Sequence, residues 1–177
     1  NSYNFFKTGK APLNAIIFMS GSGTNAENLL ESLSNSSIPS WRAAAILTDA
    51  PEKSRARQIS SKYGIPLVEH DIKKFYAEKG EQRVGILTER GKILREEWTD
   101  AMRKLLSPFN ADFGILAGFV PLSNICADFP CLNVHPGDLT VERNGCRLLV
   151  GLHTAPVEIA IINGFPCIRS SVIAAQP

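Results

Sequence analysis

Cysteine is scarce in this chain and badly spaced for metal or redox chemistry. Cys126, Cys131, Cys146 and Cys167 are separated by 5, 15 and 21 residues, and no C-x-x-C pair exists. Zinc and dithiol motifs therefore have no support, and reduced, buried thiols of a cytoplasmic protein are the expectation. Long apolar runs are also missing. None approaches the ~18–20 residues that a membrane-spanning helix needs, and the opening NSYNFFKTGKAPLN lacks the apolar stretch of a secretory leader. Charge of one sign is not in excess: 19 Lys and Arg stand against 17 Asp and Glu, a net charge of +2. That balance gives no basic footprint for nucleic acid. No internal repeat is present, and no H-x-x-x-H pattern suggests a metal.

What is there suits one globular domain: 177 residues, 44% hydrophobic and 20% charged. Residues 1–12 read as an arm and 13–177 as the domain. Apolar runs at Leu13–Met19, Trp41–Leu47, Ile65–Glu69, Asp112–Ala117, Cys131–His135 and Cys167–Ala175 read as strands. Helical spacing falls between them at Asn25–Leu33, Glu52–Tyr63, Ile93–Leu106 and 154–163. On 93–106 the apolar side collects Ile93, Trp98, Ala101, Met102, Leu105 and Leu106. Residues 71–92 read as a surface insertion leading into that helix, and Asn144-Gly145 marks a hairpin within 141–150. Strands alternating with helices predict an α/β, Rossmann-like, mostly parallel twisted sheet with helices on both faces. Ligands of such sheets bind beyond the carboxyl ends of the strands, which directs attention to the loops after Met19, Thr48, Ala117 and His135.

The loop Ser20-Gly21-Ser22-Gly23-Thr24-Asn25 joins the first strand to the first helix. Its glycines bring backbone N–H groups close to a ligand, and the helix N-terminus adds partial positive charge, so a phosphate is favoured. Two other readings use the same residues. Gly21, Gly23 and Ala26 satisfy G-x-G-x-x-A, so an NAD(P)-binding oxidoreductase with Asp49 on a ribose is an alternative. The loop is otherwise a tight turn with Thr24 or Asn25 as a helix cap. Farther on, Leu132-Asn133-Val134-His135-Pro136 ends a strand, and alternate residues of a strand share a face. Asn133 and His135 thus converge, an amide donor beside a proton-exchanging imidazole. Such a pair suits acyl transfer through an oxyanion.

These motifs, in this order, resemble the phosphoribosylglycinamide formyltransferases of the folate-dependent formyltransferase superfamily. The matching segments are IIFMSGSGTN (16–25), RARQISSKYGIPL (55–67), ADFGILAGFVPLS (111–123), LNVHP (132–136) and GLHT (151–154). The resemblance implies formyl transfer from 10-formyltetrahydrofolate to the amine of a phosphorylated acceptor. It implies Gly21, Ser22, Gly23 and Thr24 as phosphate-binding residues, and Arg95, 17 residues before Asp112, as a substrate contact. Leu116, Phe119, Val120 and Leu122 would line the folate site, and Asn133 with His135 would form the catalytic pair. The acceptor amine is itself the nucleophile, so no nucleophilic side chain is required. The family adds a catalytic Asp in a D-x-L-D-x-G-P-like loop, expected where this sequence reaches Gln176-Pro177; a catalytically inactive relative is the alternative this leaves. Asp138 is the local carboxylate. GDLTVERNGCRLLV replaces a shorter family segment before Gly151, and APVEIAIINGF is closer to the corresponding run in methionyl-tRNA and sugar formyltransferases.

Overall fold

A computed structural model describes residues 12–151 and 154–175. Apart from Pro12 the expected arm lies outside these residues, as do Leu152 and His153 of the GLHT segment. The strands are β1 (Leu13–Met19), β2 (Trp41–Thr48), β3 (Leu67–Glu69), β4 (Phe113–Leu116), β5 (Cys131–His135), β6 (Glu142–Arg143), β7 (Cys146–Arg147) and β8 (Ser171–Ala175). The helices are α1 (Thr24–Ser34), α2 (Ala56–Tyr63), α3 (Ile72–Glu78), α4 (Glu89–Leu106) and α5 (Ala155–Ile162).

Six strands build one sheet in the order β3-β2-β1-β4-β5-β8. Every neighbouring pair is parallel except β5 with β8, where Cys131 faces Ala175 and His135 faces Ser171 in antiparallel register. The expected α/β, mostly parallel sheet is therefore present. The chain runs outward from β1 through β2 to β3, then returns to β4 on the other side of β1. That reversal opens a crevice at the carboxyl ends of β1 and β4.

β1 is buried along all seven residues, because helices cover both faces of the sheet. Its alternate residues serve opposite cores. Ile16 and Phe18 pack with Tyr76 of α3 and with Leu94, Trp98 and Met102 of α4. Leu13, Ala15, Ile17 and Met19 pack with Ala26 and Leu30 of α1 and with Ala56 and Ile59 of α2.

Several boundaries differ from the sequence reading. α2 starts at Ala56 rather than Glu52, because Lys53 and Ser54 both turn their N–H groups onto the Ala50 carbonyl. The stretch 71–92 is not merely a surface insertion. Asp71 caps α3 by accepting from the N–H groups of Lys73 and Lys74, which places Ile72 and Tyr76 in the core. α4 begins earlier than expected, at Glu89, where the Thr88 hydroxyl accepts from Gly91 N–H at 3.0 Å. Its buried stripe is Leu94, Trp98, Met102 and Leu106, each one helical repeat from the next. Ile93 and Leu105, expected inside, are exposed at 51% and 43%. The last strand is Ser171–Ala175, shorter than the apolar run, and the hairpin turns at Asn144 and Gly145 with φ of 53° and 76°, the left-handed values its two-residue turn requires.

Candidate active site

Two hollows meet at the carboxyl edge of the sheet. One, of about 200 Å³, is bounded by Gly21, Ser22, Gly23, Thr24, Asn25, Ala117 and Gly118. Its neighbour, of about 310 Å³, is bounded by Asn25, Gly118, Phe119, Val120, Asn133, Val134, His135, Pro136 and Gly151. Asn25 and Gly118 belong to both. The Gly-rich loop and the Asn133–His135 pair therefore lie at one edge, as the sequence predicts.

The Gly-rich loop is held by its backbone. Gly23 has φ of +68° and ends the loop as the residue before α1. A Cβ there would lie 2.5 Å from both Ile59 Cδ1 and Met19 Cε, so glycine serves both the backbone angle and the packing. Gly21 has open space in the direction of a Cβ. Neither Thr24 nor Asn25 caps the helix, contrary to the turn-and-cap alternative: α1 starts without a side-chain cap. Its first-turn N–H groups, which have no acceptor within the helix, remain for a ligand. The Ser22 and Thr24 hydroxyls are 3.3 Å apart beside them. Sequence reasoning passed over Arg55, whose N–H donates to Gly21 O at 3.1 Å and whose guanidinium reaches Ser22 O at 3.4 Å. Its place in the R-A-R-Q run was the available signal.

Asn133 and His135 project from β5 into the larger hollow. The Asn133 amide makes no hydrogen bond to another described residue, so its donors are free for a ligand. His135 Nε2 stands 2.9 Å from the Leu149 carbonyl. That carbonyl is brought in by a close approach at Gly137, where a Cβ would lie 2.4 Å from Leu149 O and 2.8 Å from Pro156 Cβ. No carboxylate among the described residues bounds either hollow. Asp138 accepts from the Thr140 N–H at 2.9 Å and from the Thr140 hydroxyl, and these bonds hold its pKa below the usual value. It is a turn residue.

The residues expected along the folate segment divide. Phe119 and Val120 bound the larger hollow, but the Phe119 ring turns inward onto Phe18, with centroids 5.3 Å apart. Leu116 sits in the sheet between Phe18 and Asn133, and Leu122 faces outward at 64% exposure. Arg95 bounds neither hollow. It is buried in α4, its Nη1–H donates to Leu122 O, and its guanidinium lies 6.0 Å from the Tyr76 ring. Asp49, which the dinucleotide reading needs on a ribose, is only 5% exposed and accepts from the Ser20 hydroxyl.

An apolar hollow of about 300 Å³ lies elsewhere, lined by Leu13, Leu29, Trp41, Phe113, Leu132 and Val172 among others. Leu13, Trp41 and Phe113 open their strands, so this hollow reaches toward the amino ends, while Val134 borders both it and the polar hollow.

Solved structures with the same arrangement decide the architecture. Phosphoribosylglycinamide formyltransferase from Anaplasma phagocytophilum superposes with a TM-score of 0.66 at 20% identity, over 94% of this chain and 66% of that enzyme. The chain has the phosphoribosylglycinamide formyltransferase fold. The Coxiella burnetii enzyme gives a TM-score of 0.66 at 18% identity, over 93% of this chain and 66% of its own. The Brucella melitensis enzyme gives 0.63 at 21%, over 92% and 80%. At these identities the likeness is one of fold, and the chain spans about two thirds of the length of the first two formyltransferases. No protein-family model and no curated protein matches the sequence.

Proposed function

We propose that this chain carries the formyl-transfer site of a cytoplasmic, folate-dependent formyltransferase. The donor is 10-formyltetrahydrofolate, and the acceptor is the amine of phosphoribosylglycinamide or a related phosphorylated amine. The single observation that carries this reading is the contiguity of the two hollows: one edged by free helix N–H groups, the other by Asn133 and His135. A phosphate on the first and a formyl group in the second would bring amine and formyl carbon together across Gly118.

Formyl transfer needs little from the protein beyond positioning, charge stabilisation and one proton relay. The amine nitrogen adds to the formyl carbon, and the carbonyl oxygen becomes an oxyanion. The Asn133 amide donates to that oxygen, worth roughly 10²–10³ in rate when such a donor is preorganised. His135 bonds Leu149 O through Nε2–H, which leaves Nδ1 toward the chemistry. Protonated at Nδ1, it supports the oxyanion; neutral, it accepts the proton the amine sheds. The intermediate collapses by breaking the bond to folate N10, which leaves with a proton. The family resemblance also calls for a catalytic Asp, and no carboxylate among the described residues bounds either hollow.

The dinucleotide alternative is weakened by Asp49, whose carboxylate is buried against Ser20. The test is direct. The protein is mixed with 10-formyltetrahydrofolate and phosphoribosylglycinamide, and loss of the donor's formyl group is followed. Turnover that depends on both substrates and on His135 supports the proposal. Tight folate binding without turnover makes the protein a binding relative. Failure to bind either a folate or inorganic phosphate sinks the reading.

A further inference from the structure

Gly118 belongs to both hollows, and Phe119 and Val120 edge the larger one. This lip runs on through Leu122 to Ser123, and few of its side chains anchor it. Phe119 turns inward and the Ser123 hydroxyl lies 3.3 Å from that of buried Thr99, while Val120 and Leu122 are exposed at 58% and 64%. Gly118 adopts φ of +77°. Such a loop keeps one shape only if its backbone is fastened, since each free residue otherwise contributes conformational entropy.

Two buried groups of opposite charge fasten it from behind. The Val120 N–H donates to Ser20 Oγ at 2.9 Å, and the Ser20 hydroxyl donates onward to Asp49. A hydroxyl whose proton goes to a carboxylate is a better acceptor, because bonds in a chain polarise one another. Two residues farther along, the Leu122 carbonyl accepts from Arg95. Asp49 and Arg95 are exposed at only 5% and 8%, so neither is screened as a surface ion would be.

We infer that Asp49 and Arg95 are positioning residues for this lip: Asp49 acting through Ser20 on Val120, and Arg95 directly on Leu122. Neither touches a ligand. Together they set the backbone that a donor meets in the larger hollow. The loop-ordering part stands on the geometry alone, while its effect on folate rests on the proposed function.

The test pairs two readouts on the intact chain. Hydrogen exchange of the amides in 118–123 reports the lip without any ligand. Calorimetry with 5-formyltetrahydrofolate, and separately with inorganic phosphate, reports each hollow. Asp49→Ala, Ser20→Ala and Arg95→Met are expected to speed exchange in 118–123 by about tenfold and to weaken 5-formyltetrahydrofolate by about tenfold, the scale of one charge-assisted hydrogen bond. Phosphate affinity should stay within about twofold, because the first-turn N–H groups of α1 are untouched. Asp49→Asn and Arg95→Lys, which keep an acceptor and a donor, should restore most of both readouts. Unchanged exchange in the three disruptive variants would overturn the inference, as would conservative variants that fare no better. Faster exchange with unchanged folate affinity would reject the effect on ligand. If the parent protein binds no 5-formyltetrahydrofolate, the proposed function falls, and exchange alone decides the positioning.

Discussion

The imidazole of His135 and the backbone carbonyl of Leu149 meet at 2.9 Å, and a carbonyl can only accept. Nε2 is therefore the nitrogen that carries the proton in this contact. This contact joins the hairpin-bearing segment to the end of β5. Gly137 makes the approach possible.

His135→Ala should lower kcat by roughly 10²–10⁴-fold, the scale of removing a positioned acid–base group. Asn133→Ala should cost about 10²–10³-fold. Both losses belong in kcat rather than KM, because the oxyanion is absent from the ground state. Steady-state kinetics on the folded variants checks this. A KM effect at constant kcat would place these residues in ground-state binding instead.

The two glycines of the loop should separate stability from ligand binding. Gly23→Ala forces a side chain into left-handed backbone and against Ile59 and Met19, a cost of roughly 2–4 kcal/mol. Gly21→Ala meets open space and should change stability by less than about 0.5 kcal/mol, while crowding an anion at the helix N-terminus. Thermal unfolding and phosphate titration of the two variants distinguish these outcomes.

Stability should depend on pH in two opposing ways. Burial holds the Asp49 pKa above its ordinary value, although the Ser20 bond works the other way. Its stabilising effect is complete below the ordinary carboxylate pKa and is lost as pH rises through the raised value. Asp49→Asn should therefore stabilise the protein at neutral pH and lose that advantage in acid. Burial also depresses the His70 pKa, against the opposing bond to the Trp98 carbonyl. That contribution is present above the ordinary histidine pKa of about 6.5 and is lost as pH falls through the depressed value, so His70→Gln should flatten this acid limb. Melting temperatures across pH for the parent and both variants test the signs.

The thiols should react in order of exposure. Burial pushes the Cys131 pKa up to about 12 and also raises that of Cys126. Cys146 and Cys167 are exposed. A thiol reagent should label Cys146 and Cys167 at once and Cys126 slowly. Cys131 should react only on unfolding, because the thiolate is the nucleophile. Mass spectrometry of peptides from a time course identifies the sites.

Much of this was legible where a short pattern has one physical solution. Period two placed Asn133 and His135 in one hollow, and the glycine spacing located the loop. The buried face of α4 was not readable because the helix admits two adjacent phases: Ile93 and Leu105 are as apolar as Leu94 and Leu106, and packing against the sheet chose the latter. Arg95 is buried on that phase, with its Nη1–H on Leu122 O. The cap at Asp71 was not read from the sequence, because the glycines and mixed charge of 71–92 obscure the short helix it starts. The direction of β8 was not readable, since antiparallel pairing with β5 depends on how the chain returns, not on its composition. Asp49 could not be assigned from sequence, because its partner Ser20 stands 29 residues away.

β5 is a wall shared by two compartments. Asn133 and His135 face the polar cleft, while Leu132 lines the apolar hollow and Val134 borders both. Tolerance to substitution along these five residues should therefore alternate with the pleat. At 132 and 134, exchanges among aliphatic side chains of similar volume should be accepted; at 133 and 135, no replacement should preserve turnover. Saturation mutagenesis of this one strand, scored separately for abundance and for activity, would yield two tolerance profiles out of step by one residue.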